Sequence, residues 1–199
     1  MANNVQGIEE FPTITGIQDF VINILERKKE GFFVEIGAFH SEKGNNTHLL
    51  ERHFNWKGFA LDIVPSFVDE YNQNRQNPCI LHNAVLFDYR KYFKDNNFPK
   101  QIDFLQIDID AATGDCTSVQ NLLALIQVPL NEYRFSVITF EHDMVDNPKN
   151  KTVRDAQREI LLGLGYALVV QLSYEDWWVD PKVVPRNIYQ RWHQNYIGS

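Results

Sequence analysis

The sequence predicts an α/β protein with a doubly wound, mostly parallel β-sheet flanked by helices. Short apolar runs rich in β-branched and aromatic residues alternate with amphipathic segments of helical length. Several runs are apolar on both faces, as the buried strands of parallel sheets are. No internal repeat or low-complexity tract interrupts this alternation. Right-handed crossovers between such strands place helices on both faces of one sheet.

In the first half of the chain, apolar spacing separates helices from strands. Residues 16–29 carry apolar side chains at helical spacing, and Gly31 ends that helix. The run FFVEIG is short and β-rich, whereas THLLERHF has the pattern of a helix. The predicted order is a helix over 16–29, a strand over 32–37, a helix over 47–54, a strand over 58–63, a helix from Pro65 and a strand over 79–81.

The second half continues the alternation. Residues 88–101 are polar and aromatic without a clear period, so they predict surface turn and loop. Pro129 ends the helix before it, and Gly165 is typical of a helix end. The predicted elements are a strand over 102–110, a helix over 118–128, a strand over 135–143, a helix over 151–163 and a strand over 166–173. From Tyr174 the tail is predicted to be irregular and aromatic.

Composition limits the function. The formal net charge of −7 disfavours a nucleic-acid partner, which would need a basic surface. No run approaches ~18 continuous apolar residues, so no membrane insertion is expected. The N-terminus lacks the pattern of a secretory signal, and two distant cysteines fit reduced thiols. We therefore expect a cytoplasmic protein.

Acids stand at or just past the carboxyl ends of four predicted strands, together with one glycine and one histidine. In a doubly wound sheet, ligands bind outside these strand ends, at the switch point of the topology. The sequence therefore predicts that these side chains converge on one crevice. They are Glu35 and Gly37, Asp62, Asp108 and Asp110, and Glu141, His142 and Asp143.

Asp62 is a candidate ribose-binding acid. It lies twenty-five positions after Gly37, close to the ~20 positions expected between a nucleotide-binding turn and its ribose-binding carboxylate. A carboxylate accepts charge-assisted hydrogen bonds from two vicinal hydroxyls. The dinucleotide fingerprint would need glycine at position 39, which is Phe39. We therefore expect a nucleoside ligand that lacks a diphosphate.

Five segments in this order resemble the FkbM-like family of S-adenosylmethionine-dependent methyltransferases. They are VEIGA, Asn45-Asn46-Thr47, WKGFALD, HNAV and IDFLQIDID, and the resemblance extends from about Gly31 to Gly165. It implies a Rossmann-like class I methyltransferase with S-adenosylmethionine as cofactor. It also implies O-methylation of a hydroxyl on a sugar or a small natural-product-like acceptor.

The resemblance also assigns cofactor contacts. Glu35, Gly37 and Ala38 match the motif beside the methionine portion; Asn46 and Thr47 match the helix start; Asp62 matches the ribose-binding acid; Asn83 and Ala84 flank the adenine; and Asp108 lies near the transferred methyl group. The helix start near Asn46 could receive the cofactor carboxylate. The chain departs from the family at Phe39-His40-Ser41, where relatives often carry an Asn-Asp-Gly-like turn.

Methyl transfer to a hydroxyl also needs a group that takes the proton. The candidate catalytic residues are His142, Asp108 and Asp110, with His40 as a further possible base. Asp108, Asp110, Glu141 and His142 could instead hold Mg²⁺ or Mn²⁺, which would lower the pKa of the hydroxyl. A structural role for His142 in a loop is an equal alternative.

Two other functions fit parts of the pattern. Asp108-x-Asp110 could hold a nucleotide-sugar through Mn²⁺ in a metal-dependent glycosyltransferase, and the chain could also be a non-catalytic cofactor-binding module. We predict a single domain over 1–199, with a helical lead-in over 1–30, a cofactor-binding core over 31–173 and a cover over 174–199. Trp177 and Trp178 in that cover could line a carbohydrate pocket, pack in the core, or form a homodimer contact.

Overall fold

The computed structural model describes residues 16–109 and 118–196, with side chains up to residue 192. In this part of the chain seven strands form one sheet in the order β3-β2-β1-β4-β5-β7-β6. The strands are β1 (Phe32–Ile36), β2 (Lys57–Asp62), β3 (Cys79–Leu81), β4 (Gln101–Ile107), β5 (Arg134–Glu141), β6 (Ala167–Gln171) and β7 (Glu175–Val179). β7 is antiparallel to both neighbours, and the other adjacent pairs are parallel.

Helices cover both faces of the sheet. They are α1 (Ile17–Ile24), α2 (His48–Phe54), α3 (Pro65–Asn74), α4 (Tyr89–Asp95), α5 (Val119–Gln127), α6 (Lys151–Gly163) and α7 (Arg186–Tyr196), with a 3₁₀ turn at Pro148–Asn150. One apolar cluster joins α4, α5 and α6 to residues such as Val34 and Leu105. A second cluster joins α1, α2 and α7 to residues such as Phe33 and Phe104. This arrangement confirms the predicted doubly wound, mostly parallel fold.

The strand order places the switch point between β1 and β4. β1 pairs with β2 on one side and with β4 on the other, and all three run parallel. The connections that follow these two central strands lead away from each other, toward opposite sides of the sheet. A crevice therefore opens between them at the carboxyl ends of the strands. The predicted strand-end acids can therefore meet only along the line of these carboxyl ends, which we call the edge.

The prediction of loop over 88–101 was wrong, because α4 occupies Tyr89–Asp95. Tyr89 and Phe93 lie four positions apart and are both buried, so they fix one face of this helix on the sheet. The Asp88 side chain accepts a hydrogen bond from the Lys91 amide and caps the helix. Only Tyr89 and Phe93 are buried in α4, against four residues in the equally long α2, so the apolar pattern of α4 is weaker in the sequence.

The prediction of an irregular tail from Tyr174 was also wrong. β7 is inserted between β5 and β6, and α7 follows it. Trp177 and Trp178 are fully buried on opposite faces of this strand, so neither lines an open acceptor pocket. Every residue of β7 is buried, so the strand lacks the polar alternation that marks a half-buried strand.

No helix in the described ranges is long and apolar enough to span a membrane.

Candidate cofactor-binding site

The turn after β1 brings the two central strands into backbone contact. Gly37 has φ +87°, and a Cβ atom there would lie 1.7 Å from the carbonyl oxygen of Asp108. Only glycine can therefore occupy this position. The next residue, Ala38, is buried, and Phe39 has φ +51°, a left-handed conformation that is uncommon for a residue with a side chain.

Asp62 ends β2 and closes this turn. Its Oδ2 atom accepts hydrogen bonds from the amides of Ala38 at 3.1 Å and Phe39 at 3.0 Å. Its Oδ1 atom accepts one from the Val64 amide at 2.8 Å. An ionised carboxylate offers about four acceptor positions, so about one remains for a ligand. In this conformation a ribose could gain one direct hydrogen bond from Asp62, and a second would require an amide to leave.

Glu35 lies beneath the loop that follows the turn, with 1% of its surface exposed. Its carboxylate accepts hydrogen bonds from the Thr47 hydroxyl at 2.8 Å, the Asn45 side-chain amide at 3.1 Å and the Asn46 backbone amide at 3.3 Å. Burial raises the pKa of Glu35 to about 7, although Arg75 and these donors oppose the shift. Glu35 therefore supports the loop from inside, while its predicted cofactor contact stays a prediction.

The predicted anion site at the start of α2 has its nearest donors already engaged. The Asn46 amide donates to Glu35, and the Thr47 amide donates to the Asn45 side chain at 3.0 Å. Thr47 is fully buried. Contact of Asn46 and Thr47 with a cofactor carboxylate stays a prediction, and it would require these amides to change partners.

Arg75 completes the loop support, and the sequence reasoning missed it. Its guanidinium donates to the Ser41 carbonyl and the Asn45 side chain, both at 2.9 Å, and to the Thr47 hydroxyl at 3.1 Å. Its Nε atom lies 3.2 Å from a carboxylate oxygen of Glu51. Arg75 thus pairs with Glu51, and its charge also opposes the rise in the pKa of buried Glu35. No local signal identifies it, because its partners lie 24 to 40 positions away along the chain.

Asp108 and Glu141 meet at the ends of β4 and β5. Glu141 shares a side-chain hydrogen bond with Asp108, and burial together with this bond raises the pKa of Glu141 to about 12. Glu141 therefore keeps its proton at neutral pH and donates it to Asp108. Glu175 lies opposite Glu141 in the β5–β7 pairing, and burial raises its pKa well above the usual value. This half of the edge is rich in carboxyl groups held partly as neutral acids.

His142 is fully buried, and each of its ring nitrogens lies close to a neighbouring polar group. Its Nδ1 atom accepts a hydrogen bond from the Met144 amide at 3.3 Å, and its Nε2 atom lies 3.8 Å from Asp176. Arg158 donates two hydrogen bonds of 2.7 Å to the same Asp176 carboxylate. The geometry favours the structural role for His142, and its action as a general base stays a prediction.

The predicted metal site gains no support from the described residues, which contain no group of three or more His, Cys, Asp or Glu side chains placed to hold an ion. Glu141 is bonded to Asp108 as a neutral acid, whereas His142 is turned toward Asp176. The Mg²⁺ or Mn²⁺ centre therefore stays a prediction. Asp110, predicted as a ligand and as a catalytic residue, lies outside the described residues.

The predicted adenine side combines polar and apolar groups. Asn83 is exposed and accepts a hydrogen bond from the Val85 amide at 2.9 Å, while Ala84 is buried and its carbonyl accepts one from the Tyr89 hydroxyl. Ile63 and Leu81 are 54% and 52% exposed at the ends of β2 and β3. The sequence reasoning missed this apolar pair; the signal was an apolar residue directly after β2 and another at the last position of β3.

Comparisons with known proteins agree with this architecture. No family model matches the chain, and no curated protein matches it in sequence. Among solved structures it resembles a Clostridium thermocellum protein provisionally assigned as an rRNA methylase, with TM-score 0.56 and 11% identity over 86% of this chain and 99% of that one. It also resembles human methyltransferase 10 domain containing protein, with TM-score 0.53 and 12% identity over 86% and 83%. A third similar structure is the N-methyltransferase NodS of Bradyrhizobium japonicum WM9, with TM-score 0.51 and 12% identity over 86% and 96%.

These similarities define the class of fold. The seven-stranded sheet, in which antiparallel β7 lies between β5 and β6, is the fold of class I S-adenosylmethionine-dependent methyltransferases.

Proposed function

We propose that this chain is an S-adenosylmethionine-dependent O-methyltransferase of the FkbM-like family, acting on a hydroxyl of a sugar or a small natural-product-like acceptor. The observation that carries the proposal is the position of Asp62. It closes the Gly37 turn at the switch point, and exposed Ile63 and Leu81 lie beside it. A ribose hydroxyl would bond to Asp62 while the adenine packs on these apolar side chains.

The other half of the edge would bind the reacting groups. Asp108 lies beside Gly37 and is the proposed acceptor of the hydroxyl proton. Its side chain shares a hydrogen bond with Glu141. When bound, the cofactor supplies a methyl group on a positively charged sulfur. Transfer of that methyl group to the acceptor oxygen would leave S-adenosylhomocysteine, and the hydroxyl proton would pass to Asp108. Carboxylate charge at this edge would favour binding of the positively charged cofactor.

Calorimetric titration with S-adenosylhomocysteine tests the cofactor site. We expect the wild type to bind, and Asp62→Ala to lose at least about tenfold in affinity, the equivalent of ~1.4 kcal/mol. Asp69→Ala is the matched control, because Asp69 is an exposed acid of α3. Absence of binding to the wild type would contradict the proposal.

Transfer of label from methyl-labelled S-adenosylmethionine tests the activity. The acceptors should include neutral monosaccharides, oligosaccharides and polyhydroxylated small molecules, with primary amines as the contrasting class. Label on a hydroxyl compound is the expected result. Binding without label transfer to any acceptor would favour the non-catalytic module, and stabilisation by a nucleotide-sugar with Mn²⁺ alone would favour the glycosyltransferase.

A further inference from the structure

The turn over residues 37–39 follows β1, where dinucleotide-binding folds have their phosphate-binding turn, but it carries an aromatic side chain. Gly37 and Phe39 both have positive φ, at +87° and +51°. In dinucleotide-binding folds the second position is glycine, so that a pyrophosphate can approach the backbone. Here Phe39 is 43% exposed, and its ring contacts the rings of His40 and Phe67, with centroid distances of 4.3 and 4.9 Å. A side chain at this position opposes the close approach to the backbone that a pyrophosphate makes at glycine.

The anion position of this turn is already filled. Successive amides of Ala38 and Phe39 point at the same Oδ2 atom of Asp62. Two adjacent amides that converge in this way form an anion-binding nest. The occupant is the chain's own carboxylate, so a phosphate group would have to displace it or accept its repulsion at close range.

The helix that would complete a phosphate site is also displaced. α2 begins at His48, and the intervening loop is bound to α3 through Glu70. Glu70 accepts hydrogen bonds from the Ser41 amide at 3.1 Å and the Ser41 hydroxyl at 2.9 Å, and it pairs with His40 at 2.8 Å. No helix N-terminus therefore follows the turn directly, as the pyrophosphate site of a dinucleotide-binding fold requires.

We propose that Phe39 and Asp62 form a selectivity filter that admits an unphosphorylated adenosyl group and rejects nucleotides carrying phosphate at the 5′ position. The inference rests on the proposed function, since it assigns the adenosyl ligand to this edge. Asp62 contributes charge and the filled nest, whereas Phe39 contributes bulk on a backbone that keeps the glycine conformation.

Calorimetric titration with four compounds, S-adenosylhomocysteine, adenosine, AMP and ADP, tests the filter. The wild type should bind adenosine at least about tenfold more tightly than AMP or ADP, which corresponds to ~1.4 kcal/mol. The variant carrying both Asp62→Asn and Phe39→Gly should bind S-adenosylhomocysteine more weakly, while its ratio of AMP to adenosine affinity rises at least about tenfold. The single variants should each give part of this rise, and Asp69→Asn should leave the ratio unchanged.

The outcomes separate the filter from the proposed function. Wild-type binding of S-adenosylhomocysteine, together with an unchanged AMP to adenosine ratio in the double and single variants, would overturn the filter alone. Equal wild-type affinity for AMP and adenosine would also overturn it. If the wild type binds neither S-adenosylhomocysteine nor adenosine, both proposals are overturned. If circular dichroism shows that the double variant is unfolded, the ratio measured for Asp62→Asn alone tests the filter, because asparagine keeps the shape of the aspartate side chain.

Discussion

At the ends of β1 and β2, Glu35 and Asp62 accept hydrogen bonds from amide and hydroxyl donors, whereas at the ends of β4 and β5 Asp108 and Glu141 bond to each other. The first pair fixes loop geometry. The second pair retains a proton, and neighbouring Asp143 and Glu175 help to keep it there by raising the pKa of Glu141.

This difference separates positioning from chemistry along one sheet edge. Acids that accept several hydrogen bonds from the surrounding chain hold their conformation whether or not a ligand is bound. Acids that share a proton can exchange it with a reacting group. We infer that the β1–β2 half selects and orients the cofactor, whereas the β4–β5 half handles the acceptor proton.

Asp108→Asn should change turnover more strongly than the other substitutions. Removal of the proposed proton acceptor should lower the rate of label transfer to the best acceptor of the panel by about 10²–10⁴-fold. Affinity for S-adenosylhomocysteine should change less than about tenfold. Glu141→Gln is the control, because its amide can still donate a hydrogen bond to Asp108. If Asp108→Asn transfers label at the wild-type rate, the inferred division of roles between the two halves of the edge is wrong.

The second effect concerns the loop support. Arg75→Met should lower the free energy of unfolding by about 3–5 kcal/mol, because it leaves the buried carboxylate of Glu51 without its positive partner and removes an opposing charge from Glu35. Urea denaturation measures this difference. Arg90→Met is the matched control; its exposed pair with Glu132 should contribute less than about 1 kcal/mol. Equal losses in both variants would show that Glu35 does not depend on Arg75.

The fold was predictable because its signals are local. β3 and α6 have the predicted bounds, since each apolar pattern is confined to its own segment. β7 was missed because both of its faces are buried, and its partners β5 and β6 are identified only by the three-dimensional pairing. Its burial pattern therefore differs from the alternation expected of an antiparallel strand.

The site was predictable only in part, for the same reason. Asp62 could be placed from its spacing to Gly37, and the structure shows it closing that turn. The role of Arg75 depends on contacts with residues far along the chain, so no motif reveals it. The neutral state of Glu141 arises from burial and from its neighbours, which sequence spacing does not report.

Glu35 and Glu141 should affect the stability of the fold over different pH ranges. Burial raises the pKa of Glu35 to about 7 and that of Glu141 to about 12, both from 4.5. A raised pKa stabilises the fold fully below the unfolded value, and this contribution is lost as pH rises toward the folded value. Each group therefore costs up to about 1.4 kcal/mol per pH unit within its own window.

Urea unfolding between pH 5 and pH 8 distinguishes the two groups. The stability of Glu141→Gln relative to the wild type should keep rising across the whole range. For Glu35→Gln the difference should start lower, because the new amide faces the Asn46 donor, and it should level off near pH 7. A difference for Glu141→Gln that does not vary with pH would show that Glu141 is ionised in the folded protein.

The smallest effect tests the strained turn itself. Phe39→Gly and Phe39→Ala both remove the ring, but only alanine keeps a Cβ atom at φ +51°. We expect the glycine variant to be more stable than the alanine variant by about 1 kcal/mol. At Leu86, which is exposed and lacks a positive φ, the same pair of substitutions should give the opposite order, since glycine loses more entropy on folding. The same order at both positions would mean that the turn stores no strain, and thermal denaturation of the four variants decides this.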